Sequence, residues 1–519
     1  MDEIADSYDV VVIGGGAAGL AGAVALLRSR RSVLLVDGGD PRNAAAGHVH
    51  NFLTQDGTAP EALYAAGRAE LRAYGGQLLP GDVDTLEQAG DSFRLQVQGR
   101  TVTARRVLLA SGARDELPDL PGLAERWGID VLHCPYCHGW EVRDQRIGVL
   151  ATGPMAIHQA LMFGQLSAQV TLLAHTGPAP SAEQQEQLAA LGIPVLAGAV
   201  TQVDSDADGL TGVQLADGGR VTLDALVVAP VCRARAELLA PFGVRPVEVR
   251  LDGHLLGTQV ESDPTGASTV PGIWVAGNVT NIQAQVISSA AAGLAAAAAI
   301  NNDLITADAE RAVQTYRARR AIQDPWDERY ASMAQVWSGQ PNGQLVSETQ
   351  GLPPGRALDV GCGEGADALW LAARGWDVTA LDVSRVALDR ATEQADRVGA
   401  KVRWLHAGLL DAALPPASFD LVSAQYPALL RTEDHQAERA LLDAVAPGGV
   451  LLVVHHVVLH EHAHDHDFNP DDYVGPAQVA ALLDDRWRIE VNETRARHLT
   501  TGAGAGHTQD IVLRARRLS

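Results

Sequence analysis

Short apolar runs, most of them stopped by glycine, alternate with amphipathic stretches along most of this chain. Residues 8–13 form an apolar run that ends in glycines, the mark of a parallel strand buried on both faces. A helical pattern follows over 17–28, then a second strand over 32–36 that closes on Asp37, which together make a βαβ unit. A polar, histidine-containing stretch (41–57) precedes a helix reaching about Tyr74, and β-rich segments lead to 107–110 and the turn Ser111-Gly112. A second βαβ pattern starts at 146–150, with a helix near 156–166 and a strand at 169–173. After Pro241 strands return, ending at 272–276 before Gly277-Asn278 and a long alanine-rich helix. Residues 118–244 therefore read as a domain inserted into a discontinuous one made of 1–117 and 245–315. A charged helical connector is expected over 303–323, with a linker at 316–325 ending on Asp324-Pro325.

The remainder, 326–519, repeats the alternation. Strands are expected at 357–360, 377–381, 402–405, 419–423 and 450–454, separated by helices. That order predicts a parallel sheet covered on both faces. No repeat of solenoid period is evident.

The chain has 519 residues, 46% of them hydrophobic, and a net charge of −23. Its size suits several domains with sizeable cores. The acidic balance lacks the basic footprint that phosphate-backbone binding needs, so nucleic acid is not an expected partner. No cationic apolar leader precedes the first strand, and the apolar run 290–300 is too short for a membrane span. No membrane association is expected, and a cytoplasmic setting is. Four cysteines in such a chain are no disulfide scaffold. Cys134 and Cys137 form one CxxC, while Cys232 and Cys362 stand alone, a pattern that suits a reducing compartment with one redox pair.

Gly14-x-Gly16-x-x-Gly19 lies between a predicted strand and helix. The glycines permit a tight turn and close approach of the backbone to a pyrophosphate on the helix N-terminus. Asp37, 23 residues after Gly14, ends the next strand, where a carboxylate can accept hydrogen bonds from ribose hydroxyls. At these residues the first 315 or so positions resemble the low-molecular-weight thioredoxin reductases. The resemblance implies FAD on the N-terminal glycine loop and a redox CxxC in the inserted domain. The segment Thr269-Val-Pro271-Gly272-Ile-Trp-Val-Ala276-Gly277-Asn278 looks like that family's second flavin motif, and Gln285 matches a glutamine near the isoalloxazine ring. The family usually has aspartate where this chain has Asn278; asparagine can still hydrogen-bond a ribityl hydroxyl. A homodimer is also implied.

Cys134-Pro135-Tyr136-Cys137 is followed at once by His138. A CxxC at a helix start lowers one thiol's pKa, because the helix end favours the thiolate. The other readings of such a pair are a zinc half-site, which here has no second CxxC to complete it, or an incidental pair. The resemblance implies that Cys137 faces the flavin and Cys134 exchanges with substrate. His138 occupies the family's usual aspartate position; an imidazole titrates near neutrality and can shuttle the proton that thiol exchange requires.

Where thioredoxin reductases carry a second fingerprint for NADPH, this chain reads Ala151-Thr-Gly153-Pro154-Met-Ala156. The first glycine is replaced and Pro154 removes a backbone donor. After the next strand come Ala174-His175-Thr176-Gly177, with neither an arginine for a 2′-phosphate nor an acid for a ribose. NADP(H) is accordingly a doubtful cofactor. This loop, with His138, is similar to the gliotoxin-type dithiol oxidases, thioredoxin-reductase-like flavoproteins that close small-molecule disulfides and pass electrons to oxygen. A true NADPH-dependent thioredoxin-disulfide reductase with an unusual loop is the alternative.

In the second half, Asp359-Val-Gly361-Cys-Gly363-Glu-Gly365 follows a strand, and Asp382 ends the next one. Gly-x-Gly-x-Gly after an acidic strand end suits a nucleoside rather than a pyrophosphate. It resembles motif I of class I S-adenosylmethionine methyltransferases, with Asp382 on the ribose hydroxyls. Ser418-Phe419-Asp420 and Pro447-Gly448-Gly449 fit later motifs, and the lead-in Trp326-Asp327-Glu328-Arg329-Tyr330 with Trp337-Ser338-Gly339 resembles small-molecule enzymes of the tellurite-resistance and thiopurine type. The acid that often binds adenine is absent at Ala407-Gly408. Tyr426-Pro427 follows the fourth strand, where the methyl acceptor is commonly handled in such folds. Between 454 and 469 lie His455, His456, His460, His462, His464 and His466; the last four alternate and share one face if extended, so the run is either a solvated lid or a metal-binding segment.

The expected architecture is α/β throughout: two Rossmann-like nucleotide-binding domains, a FAD domain with an inserted NAD(P)-type domain, then a class I methyltransferase Rossmann-like domain. The expected function is bifunctional. A flavoprotein exchanges electrons with a small-molecule or protein dithiol through Cys134 and Cys137, and a methyltransferase acts on a small molecule, a thiol or metalloid. A different class of reading makes the C-terminal half a non-catalytic module that binds S-adenosylmethionine or metal.

Overall fold

The computed structural model describes residues 4–457, 472–497 and 508–519. The chain divides into two compact units, Met1–Ala309 and Glu310–Ser519.

In the first unit the strand Ser7–Ile13 pairs in parallel with Val33–Asp37 on one side and Arg100–Leu109 on the other. Ile273–Val275 pairs in parallel with Arg100–Leu109, Ile273 opposite Val107, so this sheet draws on chain from both sides of 118–244. The strand Ser7–Ile13 is buried on both faces because the helix Ala17–Arg28 and the alanine-rich start of Val286–Ala331 cover one side. A packed face with Phe93, Leu95 and Leu239 covers the other. A second sheet is all parallel, in the order Val195–Leu196, Val170–Leu173, Ile147–Leu150, Ala225–Val228, Val131–Leu132. The strands Ala113–Glu116 and Val231–Ala234 join His254–Gln259 and Val247–Leu251 in a small sheet.

Residues 316–325, expected as a linker, are helical. One helix runs Val286–Ala331 with Pro325 inside it, and the units divide before this segment, after Ala309. A proline removes one intrahelical donor but need not end a helix whose other residues favour it. Among the described residues no helix is long and apolar enough to cross a membrane.

The second unit holds a seven-stranded sheet. Its order is Val402–His406, Asp377–Asp382, Arg356–Val360, Phe419–Gln425, Val445–His456, Gln509–Arg517, Trp487–Ala496. The five strands expected from the sequence are there and parallel. The wholly parallel sheet needs correction, because the last two strands are antiparallel. Trp487–Ala496 carries alternating charge and is largely half-exposed, so it lacks the apolar run by which the buried strands announce themselves. Both sheet faces are packed, around Leu358, Val422 and Leu451 on one and Ala357, Leu421 and Leu452 on the other.

Candidate active sites

The first glycine loop is built on the carboxyl end of Ser7–Ile13. Gly14 has φ +107°, and a Cβ there would lie 2.3 Å from the Ala110 carbonyl oxygen; a Cβ at Gly19 would lie 1.8 Å from that of Gly14. Only glycine lets the helix start this close to the strand ends. Gly16, at the helix N-cap, faces open space, as a loop that receives a ligand's phosphates requires. Asp37 Oδ1 accepts from the N–H groups of Gly15 (3.2 Å) and Gly39 (3.0 Å). Gly277 (φ +84°) approaches Ala18 at the same edge. Asn278 Nδ2 donates to the carbonyls of Asn281 (3.0 Å) and Ala284 (2.9 Å), which fixes the turn entering Gln285. An aspartate could make neither donation, so this departure from the family pattern has a structural use. The two glycine motifs and Asp37 thus gather at the carboxyl ends of these parallel strands, with Asn278 in the turn that leads to Gln285, and fit a bound dinucleotide such as FAD.

Cys134 is the N-cap of the single turn Pro135–His138. The Cys134 and Cys137 sulfurs stand 2.7 Å apart as free thiols. The Cys137 thiol donates to Cys134, and this bond, helped by the backbone N–H groups of Cys137 and Tyr136 and by Arg42, outweighs burial to bring Cys134 down to about 7. Cys137 moves the opposite way, because its proton is held by Cys134 and burial disfavours its charge. Arg42 is itself fixed: Nη2 and Nε bond Asp115 (2.7 and 3.0 Å) and Nη1 donates to the Ile282 carbonyl (2.9 Å). Cys232 sits beside this pair, its thiol pushed up to about 11 chiefly by burial, which makes it inert. Arg42 and Asp115 come from distant segments, and no sequence signal marked them.

The stretch 41–57 packs on the thiol turn. Asn51 Nδ2 donates to the Tyr136 carbonyl at 2.6 Å. His50 lies 3.0 Å from Asp56 and 3.3 Å from Glu141. His138 is held below the usual imidazole range by burial, with His50 and His48 adding to the effect and Glu141 opposing it. It is a neutral imidazole near pH 7, and its Nε2 has no partner among the described residues.

At the second dinucleotide position, Pro154 is the N-cap of Met155–Phe163 and the Ala151 N–H is spent on the Leu173 carbonyl. His175 Nδ1 accepts the Val200 N–H at 3.0 Å, a structural use that leaves the segment without a cation for a phosphate.

In the second unit the N–H groups of Gly361 and Cys362 bond the Leu381 carbonyl. Asp382 accepts from Gly363 N–H and Ser384 N–H, each at 2.8 Å. The aromatic lead-in lies against this loop. Trp337 Nε1 donates to the Tyr330 hydroxyl at 2.7 Å, and Glu364 accepts the Trp337 N–H and pairs with Arg390 at 2.8 Å. Asp359 is 1% exposed and its Oδ2 has no partner among the described residues. Burial, then Asp367 and Asp382, push its carboxyl well above the usual range. Asp367 and Asp382 are also raised by burial, against the N–H groups that bond them. Tyr330, Trp337, Asp359, Gly361, Gly363, Glu364, Asp367 and Asp382 line one cavity with Trp326, Gly408, Gln425 and Tyr426. A buried cluster of carboxyls beside a nucleoside-type loop suits a cationic ligand, as S-adenosylmethionine is at its ammonium and sulfonium. Gly408 and Leu409 line the cavity without an acid of their own, but Asp411 Oδ2 comes within 3.4 Å of where a Gly408 Cβ would sit. His460, His462, His464 and His466 lie outside the described residues, and no metal-holding group of side chains occurs among those described.

Together these features define a two-part redox and transferase molecule. The chain belongs to the pyridine nucleotide-disulphide oxidoreductase family, whose model matches residues 8–297, and a methyltransferase domain matches 357–449. It is 32% identical to the thioredoxin reductase tcpT of Claviceps purpurea over 57% of this chain and 95% of that protein. It is 29% identical to the thioredoxin reductase sirT of Leptosphaeria maculans over 58% and 95%. Among solved structures, HlmI is 42% identical, covering 60% of this chain and 97% of HlmI with a TM-score of 0.56; an oxidoreductase from Agrobacterium tumefaciens is 36% identical over 58% and 99%, TM-score 0.54. The chain is thus a thioredoxin-reductase-like, FAD-dependent oxidoreductase fused to an S-adenosylmethionine-dependent methyltransferase domain.

Proposed function

We propose that the first unit makes and breaks a disulfide between Cys134 and Cys137 while oxidising a small-molecule or protein dithiol, and that the second methylates a small molecule, a thiol or metalloid. The observation that carries the redox reading is the thiol pair itself: two sulfurs at 2.7 Å with the first held near 7. Gly14, Gly16, Gly19, Asp37, Gly277, Asn278 and Gln285 hold FAD, which when bound supplies a two-electron acceptor. With the pair as a disulfide, a substrate thiolate attacks Cys134, and Cys137 leaves. The substrate's second thiol then displaces Cys134, a good leaving group because its thiolate is stabilised near neutral pH. The substrate ends as a disulfide and the cysteines as a dithiol. His138, neutral and with Nε2 unpaired, accepts the proton released by the attacking thiol.

Dithiol oxidation, with oxygen as the final acceptor, is favoured over NADPH-driven reduction by the proline-interrupted loop at Pro154 and the occupied His175. The test is anaerobic: NADPH, NADH and dithiothreitol are each mixed with the flavin-loaded protein. Dithiothreitol should bleach the flavin; rapid bleaching by NADPH would reverse the assignment. In the second unit Asp359, Gly361, Gly363, Gly365 and Asp382 hold S-adenosylmethionine, which supplies an activated methyl group. Asp359 Oδ2, without a partner among the described residues, supports this reading, and calorimetry with S-adenosylhomocysteine tests it. A cytoplasmic, homodimeric enzyme is consistent with four unpaired thiols and with the reductase likeness.

A further inference from the structure

The cavity that holds the acid cluster also holds a group of side chains with no role assigned so far. Tyr426 ends the strand Phe419–Gln425 in a left-handed conformation, φ +53°, which a non-glycine residue adopts at a cost. Its ring is stacked on His456 (centroids 4.1 Å apart, 19° between planes), and the Arg497 guanidinium lies 4.5 Å from its centroid. Arg497 Nη1 reaches His456 Nδ1 at 3.2 Å and Asp510 Oδ1 at 3.3 Å, while Gln344 Nε2 donates to Asp510 Oδ2 at 3.2 Å. Asp510 is 1% exposed, and the Arg497 side chain 9%. Tyr426, His456 and Arg497 line the same cavity as Asp359 and Gly361.

Arginine offers five N–H donors in a planar fork. The bonds of Arg497 to His456 and Asp510 both use Nη1, and its buried Nε has no partner among the described residues. A buried guanidinium with an unmatched edge is completed by an anion, which can take two parallel charge-assisted hydrogen bonds. We propose that Arg497, with His456 and the Tyr426 ring beside it, forms the anion subsite of the methyl acceptor, which is bound there as a thiolate. This rests on the reading that the second unit methylates thiols. An anion in this cavity has two sources, the acceptor sulfur and the amino-acid carboxylate of S-adenosylmethionine. Position favours the first. Tyr426 and His456 close the strands on one side of Arg356–Val360, whereas Asp382 closes the strand on the other.

The step balances without a further reactant. On binding, the acceptor thiol loses its proton to water. The thiolate sulfur then forms a bond to the methyl carbon as the sulfonium–methyl bond breaks, and that electron pair stays on the departing sulfur as a neutral thioether. Arg497, His456, His455, the Tyr426 hydroxyl and Asp510 surround the bound sulfur, and Asp367 also acts on Tyr426; Asp510 takes Nη1 of the guanidinium and the thiolate completes its second edge. Arg497 is the binding group; Asp510 and Gln344 position it.

The test uses the full chain with 4-nitrothiophenol, whose ionised form absorbs visible light, as acceptor, and S-adenosylhomocysteine as the cofactor-site ligand. Arg497→Met should lower kcat/KM for the thiol on the order of 30- to 100-fold while leaving the calorimetric affinity for S-adenosylhomocysteine within about twofold. In the S-adenosylhomocysteine complex, the bound thiol should ionise at a lower pH in the wild type than in the variant, a readout that needs no turnover. Arg497→Lys, which keeps the charge and loses the fork, should fall between the two and serves if the methionine variant fails to fold. Loss of S-adenosylhomocysteine affinity with unchanged binding of 5′-methylthioadenosine, which has no carboxylate, would assign Arg497 to the cofactor and overturn the proposal, as would an unchanged kcat/KM. A wild type that binds S-adenosylhomocysteine but methylates neither 4-nitrothiophenol nor dithiothreitol would defeat thiol methylation itself, a different failure.

Discussion

The two glycine loops of this chain share a plan and differ in charge. In each, an acid at the end of the second strand holds the loop from behind: Asp37 accepts the Gly15 N–H, and Asp382 the Gly363 N–H. Around Asp37 stand helix N–H groups and a glycine with open space before it, a setting for phosphates. Around Asp382 stand two further buried carboxyls, Asp359 and Asp367; burial raises all three, and Asp367 and Asp382 raise Asp359 further. The number of acids behind the glycines, rather than the glycines themselves, separates a pyrophosphate cradle from a site for a sulfonium. On the proposed function the two units also differ in where the chemistry lies: in a thiol pair of the protein in the first, and in the ligand in the second.

The largest expected effect tests that division. Cys134→Ser should reduce dithiol turnover by more than about 1,000-fold and leave methyl transfer unchanged, as parallel assays on one preparation would read. Next, Asp359→Asn should weaken S-adenosylhomocysteine binding by about 10- to 100-fold and raise the melting temperature of the unliganded protein. The sign follows from the shift. A carboxyl raised by burial favours the folded state while protonated and loses that contribution as pH rises, so removing the charge relieves the fold near neutrality. FAD content should not change.

A smaller effect concerns the thiols. Alkylation of Cys134 should rise through a pH of about 7, and in Cys137→Ala, which removes the donated hydrogen bond, the inflection should move up by roughly one unit or more toward an ordinary thiol. The smallest is His138→Gln, expected to slow dithiol oxidation by about tenfold near neutral pH, where the imidazole is neutral, and to change little on the acidic side, where it is already protonated. An unchanged profile would remove His138 from proton transfer.

Much of this was legible in the residue pattern because it is local. Gly14, Gly16 and Gly19 announce a strand–loop–helix turn, Asp37 and Asp382 stand where their strands end, and the CxxC needs only one helical turn. Arg42, Asp115 and Cys232 were not legible, since three distant segments bring them together. Nor were Arg497 and Asp510: Arg497 follows the strand Trp487–Ala496, whose charged, exposed residues mask the apolar period, and Asp510 lies on the strand paired with it. Pro325 read as a boundary because proline stops helices more often than it is carried within one.

The most direct measurement is an anaerobic titration of the flavin-loaded protein with dithiothreitol, followed by flavin absorbance, in the wild type and in a Cys134→Ser, Cys137→Ser double variant. The account expects stoichiometric bleaching in the wild type and an unreactive flavin in the variant. Bleaching at the same rate in both would contradict it.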